Sequence, residues 1–316
     1  MDTTRRALLQ QGLGAVALLV GGGAVAAEPG RSVAVVYPDL GEPYRQVFTS
    51  ILEGIEDKLR GVASVAVGNA TPPAEVADGI RKREAKVVIG LGRGGMRIAA
   101  AMAGELPVLV GCVVSVQESE AKAFPIHTLA PDPALMLARL KKLAPSIKRV
   151  HLVFDPRANS WLVKLARDAA RAEGMELLAQ EATDQPGALR LYSQLLASAD
   201  PTRDALWLPQ DPTTVDDNVV LSMVLKDGWN RSIAVFSSNV NHVKRGALFS
   251  LYPDNVELGR ALAVSAQRLL ANPRSVPPAV LPLRETRAAI NIRTAAHLGL
   301  DVTTAQAGFD LVYPTN

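Results

Sequence analysis

The segment from Gly90 to Gly95 carries the most suggestive chemistry of the chain, because its glycines follow the G-x-G-x-x-G spacing of phosphate-binding loops. A dinucleotide site would also require an acidic residue at the end of the next strand, and that strand ends without one. We therefore interpret the segment as a tight turn. The backbone N–H groups of Gly92 and Gly94 would approach a small ligand, and Arg93 would meet its carboxylate or another anion. A solvated loop arginine is the alternative.

Several classes of function lack their signatures. The four histidines form neither H-x-x-x-H nor H-E-x-x-H, and the chain has no G-x-S-x-G elbow and no Walker A motif. A dispersed catalytic triad stays open, but we expect no metal and no cofactor. The single cysteine, Cys112, lies in an apolar run and is expected to be a small buried hydrophobe. Aromatic residues make up 4% of the chain and its basic residues are dispersed, so no nucleic-acid partner is indicated.

Strands and helices alternate along the chain from Arg31 onward. Three βα units lead up to residue 114, residues 115–131 form a polar connection, and the alternation resumes at Arg149. Continuous apolar runs such as residues 33–37 are typical of strands that are buried on both faces of a parallel sheet. The two halves share this order, which predicts an α/β fold with two Rossmann-like lobes and parallel sheets.

Candidate binding residues follow from this arrangement, because ligands bind beyond the carboxyl ends of the strands in open parallel sheets. Tyr37, Tyr44 and Tyr252 offer ring faces at such strand ends, or serve only in packing. Asp211 is placed to meet an ammonium group, or to stabilise the first turn of a helix. The same rule selects the loops at residues 37–44, 90–95, 155–160, 209–214 and 237–241.

The N-terminal 27 residues have the features of an export signal. Arg5 and Arg6 precede an uncharged run, Gly12 to Ala27, with small residues that suit cleavage after Ala26 or Ala27. The arginine pair also resembles a twin-arginine signal. A membrane anchor is the alternative, but the run is short for a span of ~20 residues. The sequence therefore predicts a periplasmic protein.

The segment from Gly246 to Ala271 has the pattern of a strand, a polar turn and an amphipathic helix. The residues that follow the second set of βα units are too few for a third domain, so they must complete the lobes already begun. We infer that this segment leaves the second lobe and returns to the first, with Tyr252 at the crossing. The predicted boundaries are a signal peptide at residues 1–27, lobe 1 at residues 28–116 and 251–282, and lobe 2 at residues 117–250 and 283–316.

Four stretches resemble a family of ABC-transporter substrate-binding proteins. Residues 247–260, ALFSLYPDNVELGR, resemble that family's GALAS-x-G-x-D-Y-x-x-LGR segment. Residues 288–300, AAINIRTAAHLGL, resemble its closing L-V-I-N-x-x-T-A-x-x-L-G-L. Residues 154–160 and 235–238 resemble its Y-N-P-x-x-x-N-S loop and its V-F-x-S strand end. The family is similar to type I periplasmic binding proteins and includes binders of tryptophan and related amino acids.

The resemblance implies two lobes that are joined by a hinge of several chain crossings. The lobes would close on a small-molecule ligand, and the closed form would dock on an ABC permease in the inner membrane. The resemblance also implies ligand contacts at Asn159, Ser160, Gln210, Ser237 and Ser238. The first two stand at a predicted helix start, where capping is the default role of such side chains.

These observations predict a monomeric, exported solute-binding protein without enzymatic activity. It would capture a small organic ligand, amino-acid-like or another small anion, and deliver it to an ABC importer. Arg93 stands where the family would place a small residue, which favours a more anionic ligand. Two alternatives remain open. One is a periplasmic sensor that presents its ligand to a receptor or kinase, and the other is an exported α/β enzyme that uses the glycine-rich loop.

Overall fold

Two separate sheets organise the chain in the computed structural model. The structure describes residues 32–59, 61–68, 70–301, 303 and 307–314, so the expected signal peptide lies outside the described residues. Within these ranges, no helix combines the length and the apolar character that crossing a membrane requires.

The chain begins with an alternation of strands and helices that builds most of the first sheet. The elements are β1 (Val33–Pro38), α1 (Tyr44–Lys58), β2 (Ala63–Val67), α2 (Pro73–Lys82), β3 (Val87–Leu91), α3 (Gly92–Met102), β4 (Val108–Val113), α4 (Glu118–Ala121) and β5 (Ile126–Pro131). Alternate residues of each central strand enter opposite cores. In β1, Val33 and Val35 pack on the side of α1, whereas Ala34 and Val36 pack on the side of α2 and α3. This burial on both faces explains the continuous apolar runs.

The second sheet repeats the alternation. Its elements are α5 (Pro133–Leu143), β6 (Arg149–Phe154), α6 (Pro156–Ala172), β7 (Glu176–Glu181), α7 (Gln185–Ser198), β8 (Asp204–Leu208), α8 (Val220–Asn230), β9 (Ala234–Ser237), α9 (Val240–Arg245) and β10 (Phe249–Pro253). The last elements are α10 (Asn255–Ala271), β11 (Val280–Leu283), β12 (Thr286–Asn291), α11 (Ile292–His297) and β13 (Leu311–Tyr313).

Strand order shows how the last elements complete both sheets. The first sheet has the order β11-β5-β4-β3-β1-β2, and we call it and its helices lobe 1. The second has the order β13-β12-β10-β9-β8-β6-β7, and it forms lobe 2. Every pairing is parallel except that of β10 with β12. The expected α/β fold with two mainly parallel sheets is therefore confirmed.

Strand β5 differs from the expectation for residues 115–131, which were predicted to form a connection. It pairs with β4 and β11, so the first sheet continues to Pro131, past the expected lobe boundary at residue 116. Its sequence alternates buried residues, such as Ile126 and Thr128, with partly exposed ones, and it lacks a continuous apolar run. Its outer partner, β11, comes from far along the chain, so local sequence gives little sign of this strand.

Helix α10 follows a strand of lobe 2 but packs in lobe 1, as inferred for the segment from Gly246 to Ala271. A Cβ atom at Gly259 would lie 2.1 Å from the carbonyl oxygen of Ile51, and one at Gly54 would lie 1.9 Å from that of Val256. The backbones of α1 and α10 are therefore in direct contact, which only glycine permits at these two positions. This contact anchors α10 in lobe 1.

Three chain crossings connect the lobes, after β5, β10 and β11, and we call them the hinge. Asp132 caps α5 and Asp254 caps α10. The third crossing contacts both residues. Arg284 Nη1 lies 3.2 Å from Asp132 Oδ2, and Arg287 Nε lies 2.7 Å from Asp254 Oδ2. The backbone N–H groups of Asp132 and Asp254 also donate to the carbonyl oxygens of Leu283 (2.8 Å) and Glu285 (2.9 Å). The three crossings thus form one bonded unit.

Candidate functional site

The carboxyl ends of the parallel strands in the two lobes face each other. Strand β5 of lobe 1 and strand β10 of lobe 2 each continue from their carboxyl ends into the opposite lobe. Because the central neighbours of these strands run parallel to them, the loops that follow β1, β3 and β4 and those that follow β6, β8 and β9 lie at facing edges. In open α/β sheets this edge is where ligands bind.

A buried hydrogen-bond network joins the ends of β6 and β8. Asp211 Oδ2 accepts from the backbone N–H of Asp155 (2.7 Å) and from Asn159 Nδ2 (2.9 Å). Asp211 Oδ1 accepts from the backbone N–H groups of Thr213 (3.0 Å) and Thr214 (3.2 Å). Four donors therefore occupy the Asp211 carboxylate. In the structure it holds Asn159 and the turn at residues 211–214 in place, and contact with a ligand ammonium stays a prediction.

Asp155 is the second carboxylate of this network, and it starts α6. Its side chain accepts from the backbone N–H of Arg157 (3.0 Å), which caps the helix, and Pro156 follows at the first helical position. The Thr213 hydroxyl donates to Asp155 Oδ2 (2.9 Å). Hydrogen bonding from the Arg157 guanidinium is the main cause that lowers the pKa of Asp155 to about 2. The carboxylate is therefore ionised at every physiological pH.

Two buried amide oxygens at this edge have no hydrogen-bond partner among the described residues, Asn159 Oδ1 and Gln210 Oε1. Asn159 is only 1% exposed. Its amide must turn the NH₂ group toward the carboxylate of Asp211, which can only accept, so its oxygen points elsewhere. The same reasoning applies to Gln210, whose Nε2 donates to the carbonyl oxygen of Ser238 (2.9 Å). The orientation of both amides is therefore fixed, and each amide oxygen lacks a hydrogen-bond donor among the described residues.

Ser237, at the end of β9, lies in a chain of side chains that has the composition of a catalytic triad. It contacts His242 Nδ1 (2.8 Å), and His242 Nε2 contacts Asp217 Oδ1 (2.9 Å). Ser237 is 0% exposed and also accepts from the backbone N–H of Asn239 (3.0 Å). Burial lowers the pKa of His242, so the ring is neutral at pH 7. The serine braces the turn from β9 to α9, and its hydroxyl also lies 3.3 Å from the carbonyl oxygen of Leu208.

The two remaining serines are engaged within lobe 2. Ser160 is exposed on α6, and its hydroxyl donates to the carbonyl oxygen of Pro156 (2.6 Å). Ser238 is buried, and its Oγ accepts from Trp207 Nε1 (2.9 Å). The structure therefore brings Asn159, Gln210, Asp211, Ser237 and Ser238 to one edge of lobe 2. Only the first two offer a buried polar atom without a partner.

The glycine-rich segment of lobe 1 forms no separate turn, because α3 begins at Gly92 directly after β3. Gly92 has a φ of +65°, and a Cβ atom at Gly95 would lie 2.5 Å from the carbonyl oxygen of Val36. The glycines thus let α3 start abruptly and pack closely against β1. Gly94 has room for a Cβ atom, since its nearest neighbours lie beyond 3.7 Å. The spacing therefore serves strand–helix packing in this structure.

Arg93 is bound within lobe 1. Its Nη1 lies 2.7 Å from Glu120 Oε1, and its guanidinium also donates to the carbonyl oxygen and the hydroxyl of Ser115. About half of the Arg93 side chain remains exposed. These bonds tie α3 to the segment between β4 and β5, which gives the arginine an internal partner in place of the expected anion.

The three candidate tyrosines have different environments. The ring of Tyr37 packs against Phe48 with centroids 6.3 Å apart, and Tyr44 is 62% exposed at the start of α1. Tyr252 is half-buried in β10 opposite Arg287. Burial, followed by the nearby Asp310 carboxylate, raises the pKa of Tyr252. Packing accounts for Tyr37, while Tyr44 and Tyr252 remain partly accessible.

The sequence analysis located the loops of this edge but not every side chain that organises them. Asp155 and Thr213 lie in the selected loops but were not singled out, although the Asp-Pro pair that starts α6 is a recognisable capping signal, and His242 lies just beyond the selected loop at residues 237–241. Cys112 was expected to be buried and is partly buried against the core of lobe 1. Burial raises the pKa of its thiol to about 12, so it is protonated at neutral pH.

Solved structures resemble this chain over most of its length at low sequence identity. An ABC domain in complex with L-Trp from Streptococcus pneumonia is 15% identical, with 89% of this chain and 99% of the other covered and a TM-score of 0.55. A ligand-free, open substrate-binding protein with adhesive properties from Clostridium difficile is 16% identical, with the same coverage and a TM-score of 0.61. A periplasmic ribose ABC transporter from Conexibacter woesei is 15% identical, with 84% and 93% covered and a TM-score of 0.51.

Sequence comparison alone finds no relative: no family model matches the chain, and no curated protein matches it. The similar structures match this chain, with its two mainly parallel sheets, over 84–89% of its length. The chain therefore has the type I periplasmic-binding fold, with two Rossmann-like lobes joined by a hinge of three crossings.

Proposed function

We propose that this protein is an exported, periplasmic solute-binding protein that captures a small organic ligand between its lobes and delivers it to an ABC importer. The observation that carries the proposal is the pair of buried, partnerless amide oxygens of Asn159 and Gln210 at the edge of lobe 2 that faces lobe 1. A buried acceptor without a partner costs about 1–3 kcal/mol. A ligand that donates to these oxygens would recover that free energy.

The chemistry of this edge favours a ligand with an ammonium, amide or hydroxyl group. Amide oxygens accept hydrogen bonds, and the Asp211 carboxylate behind Asn159 adds negative charge to the edge, whereas that of Asp155 is paired with Arg157. On the opposite edge, the backbone N–H groups of Gly92 and Gly94 lie in the first turn of α3, where a ligand carboxylate is favoured. A zwitterionic, amino-acid-like ligand matches both edges. The similar structure that contains L-Trp supports this class.

A binding role is favoured over catalysis by the state of the nucleophile candidates. The Ser237 hydroxyl is already engaged by His242, Asn239 and Leu208, and the Cys112 thiol is protonated at neutral pH. We expect a monomer that works with an inner-membrane ABC permease, since the fold closes on a ligand by hinge motion between two lobes of one chain.

The first experiment measures ligand binding directly. Mass spectrometry of the mildly purified protein, followed by a thermal-shift screen of amino acids and related compounds, identifies the ligand. A ligand at 100 times its Kd stabilises the protein by roughly 2.7 kcal/mol, which the screen detects. The absence of any bound compound or shift would contradict the proposal.

Gln210→Met then tests the site, because methionine keeps the length of the side chain but removes the amide. We expect the affinity for the identified ligand to fall by at least about tenfold. The control is Gln194→Met on the exposed side of α7, which should leave the affinity unchanged. If both variants bind the ligand with the same affinity, the ligand does not contact Gln210.

Delivery is tested with a reconstituted permease. The liganded protein should stimulate the permease's ATPase activity, and a lack of stimulation would favour the role of a sensor.

A further inference from the structure

A cavity lies at the end of lobe 2 that is farther from the hinge and from the proposed solute site. The pairing of β12 with its neighbours shows where the cavity lies. Thr286, at the start of β12, pairs with Pro253 at the hinge. Asn291, at the other end of β12, pairs with Tyr313 of β13, and both residues line the cavity. The cavity has a volume of about 730 Å³. We call it the outer cavity, and its main walls are Trp229 of α8, Lys244 and Arg245 of α9, Arg293 of α11 and Tyr313 of β13.

Three cationic side chains surround the outer cavity: Lys244, Arg245 and Arg293. None of its lining residues is acidic, and within the described part of the chain none of the three makes an ion pair. Arg245 donates to the hydroxyl of Ser222 (2.9 Å), which holds the guanidinium without neutralising it. Three like charges around one concave surface produce a local positive potential that attracts anions.

Aromatic rings hold two of these cations in place. The Arg293 guanidinium lies 5.7 Å from the centre of the Trp229 ring, and Lys244 Nζ lies 5.7 Å from the centre of the Tyr313 ring. The Trp229 ring stacks on His297 with centroids 3.8 Å apart and still leaves 36% of the residue exposed. The cavity therefore presents positive charge beside a flat, partly exposed ring.

Buried hydrogen bonds fix the floor of the cavity. Asn291 Nδ2 donates to the carbonyl oxygen of Val243 (2.9 Å), and Asn291 Oδ1 accepts from the backbone N–H of Thr294 (3.0 Å). The Thr294 hydroxyl donates to the carbonyl oxygen of Gly246 (2.9 Å). These bonds join α9, β12 and α11, so the cations project from a braced frame and little reorganisation is needed on binding.

We propose that the outer cavity binds a small organic anion that carries a planar ring. The anionic group pairs with Lys244, Arg245 and Arg293. The ring packs against the exposed edges of Trp229 and Tyr313 and on the Arg293 guanidinium that lies over Trp229. A volume of about 730 Å³ is in the range of small-molecule sites. The cavity lies at the far edge of the sheet from Asn159 and Gln210, so it is independent of the proposed solute site.

Calorimetric titration with three probes tests the proposal: adenosine 5′-monophosphate, adenosine and inorganic phosphate. The monophosphate carries both the ring and the anion, and each of the other two carries one of them. We expect the monophosphate to bind at least about tenfold more tightly than either of the others. Binding of phosphate alone with equal affinity would overturn the ring contact, and failure of the monophosphate to bind at millimolar concentration would overturn the site.

Charge reversal locates the binding. Lys244→Glu and Arg293→Glu should each weaken the monophosphate by at least about tenfold. Lys164→Glu, on the exposed side of α6, makes the same change in net charge outside the cavity and should leave the affinity unchanged. Equal losses in all three variants would indicate non-specific attraction and overturn the proposal. Retained binding of the monophosphate by both cavity variants would also overturn it, and circular dichroism confirms that each variant is folded.

Discussion

The two facing edges of the lobes are built differently, although the lobes share one topology. On lobe 2, the strand ends carry buried carboxylates and amides that are held in place by hydrogen bonds, with Asp211 at the centre. On lobe 1, the segment after β3 is rich in glycine, and its Arg93, about half exposed, forms an ion pair with Glu120. Lobe 2 therefore presents a pre-organised polar surface to the cleft, whereas lobe 1 presents mainly backbone groups, although the two lobes have similar folds.

This difference suggests a division of labour in ligand binding. A surface whose polar atoms are already fixed loses little entropy when it binds, so lobe 2 is suited to select the ligand. Lobe 1 offers mainly backbone, which makes it suited to close over a ligand that is already bound.

Asp211→Ala should lower the free energy of unfolding by about 4 kcal/mol, because it leaves several buried donors without an acceptor. Urea denaturation of the variant measures the effect. The control in lobe 1 is Asp39→Ala, which removes an exposed carboxylate that directly follows β1. That control should change the free energy by less than about 0.5 kcal/mol. Similar values for both variants would remove the contrast between the edges.

Lowering the pH should reduce the free energy of unfolding, because Asp155 in lobe 2 becomes protonated. Its pKa of about 2 in the folded protein lies below the usual value near 3.9, so its stabilising contribution is complete above that value and is lost as the pH falls through 2. The loss amounts to about 2 kcal/mol of unfolding free energy between pH 4 and pH 2. Asp155→Asn cannot titrate at this position and should have a correspondingly flatter pH profile. Superimposable profiles would mean that Asp155 is not held in the ionised form by folding.

Arg93→Ala should have the smallest effect, because about half of the Arg93 side chain is exposed to solvent, which screens its ion pair with Glu120. We expect the free energy of unfolding to change by less than about 1 kcal/mol, and the change should shrink as salt is added. Affinity for the identified ligand should stay within about threefold of the wild-type value, because the guanidinium is already occupied by Glu120 and Ser115. A tenfold loss would instead move Arg93 into the ligand site, as its sequence context suggested.

The parts of the fold that sequence predicts are those encoded locally. Apolar runs such as residues 33–37 mark the buried strands, and the segment from Gly246 to Ala271 has the predicted strand, turn and helix. Strand β5 was missed because it becomes buried only through pairing with β4 and β11, and β11 is supplied from residues 280–283. Helix α9 was missed because it has only six residues and follows a predicted loop.

The site was predictable as an edge but not as a network. Strand ends could be placed from the alternation of elements, which brought Asn159, Gln210 and Asp211 into consideration. The bond between Asp155 and Asp211 joins residues that are 56 positions apart, and no local pattern specifies it. Likewise, nothing in the residues around Arg93 indicates that Glu120, which lies in another segment, would take up its charge.

The return of α10 to lobe 1 also has a consequence for the order of folding. The apolar face of α1, with Ile51 and Ile55, is covered by Leu258 and Leu262 of α10, about 200 positions later in the chain. Lobe 1 therefore cannot close its core during synthesis until almost all of lobe 2 has been made. Lobe 2, in turn, waits for β12 and β13. Neither lobe corresponds to a continuous piece of the chain, so the two must fold to completion together, and late in synthesis.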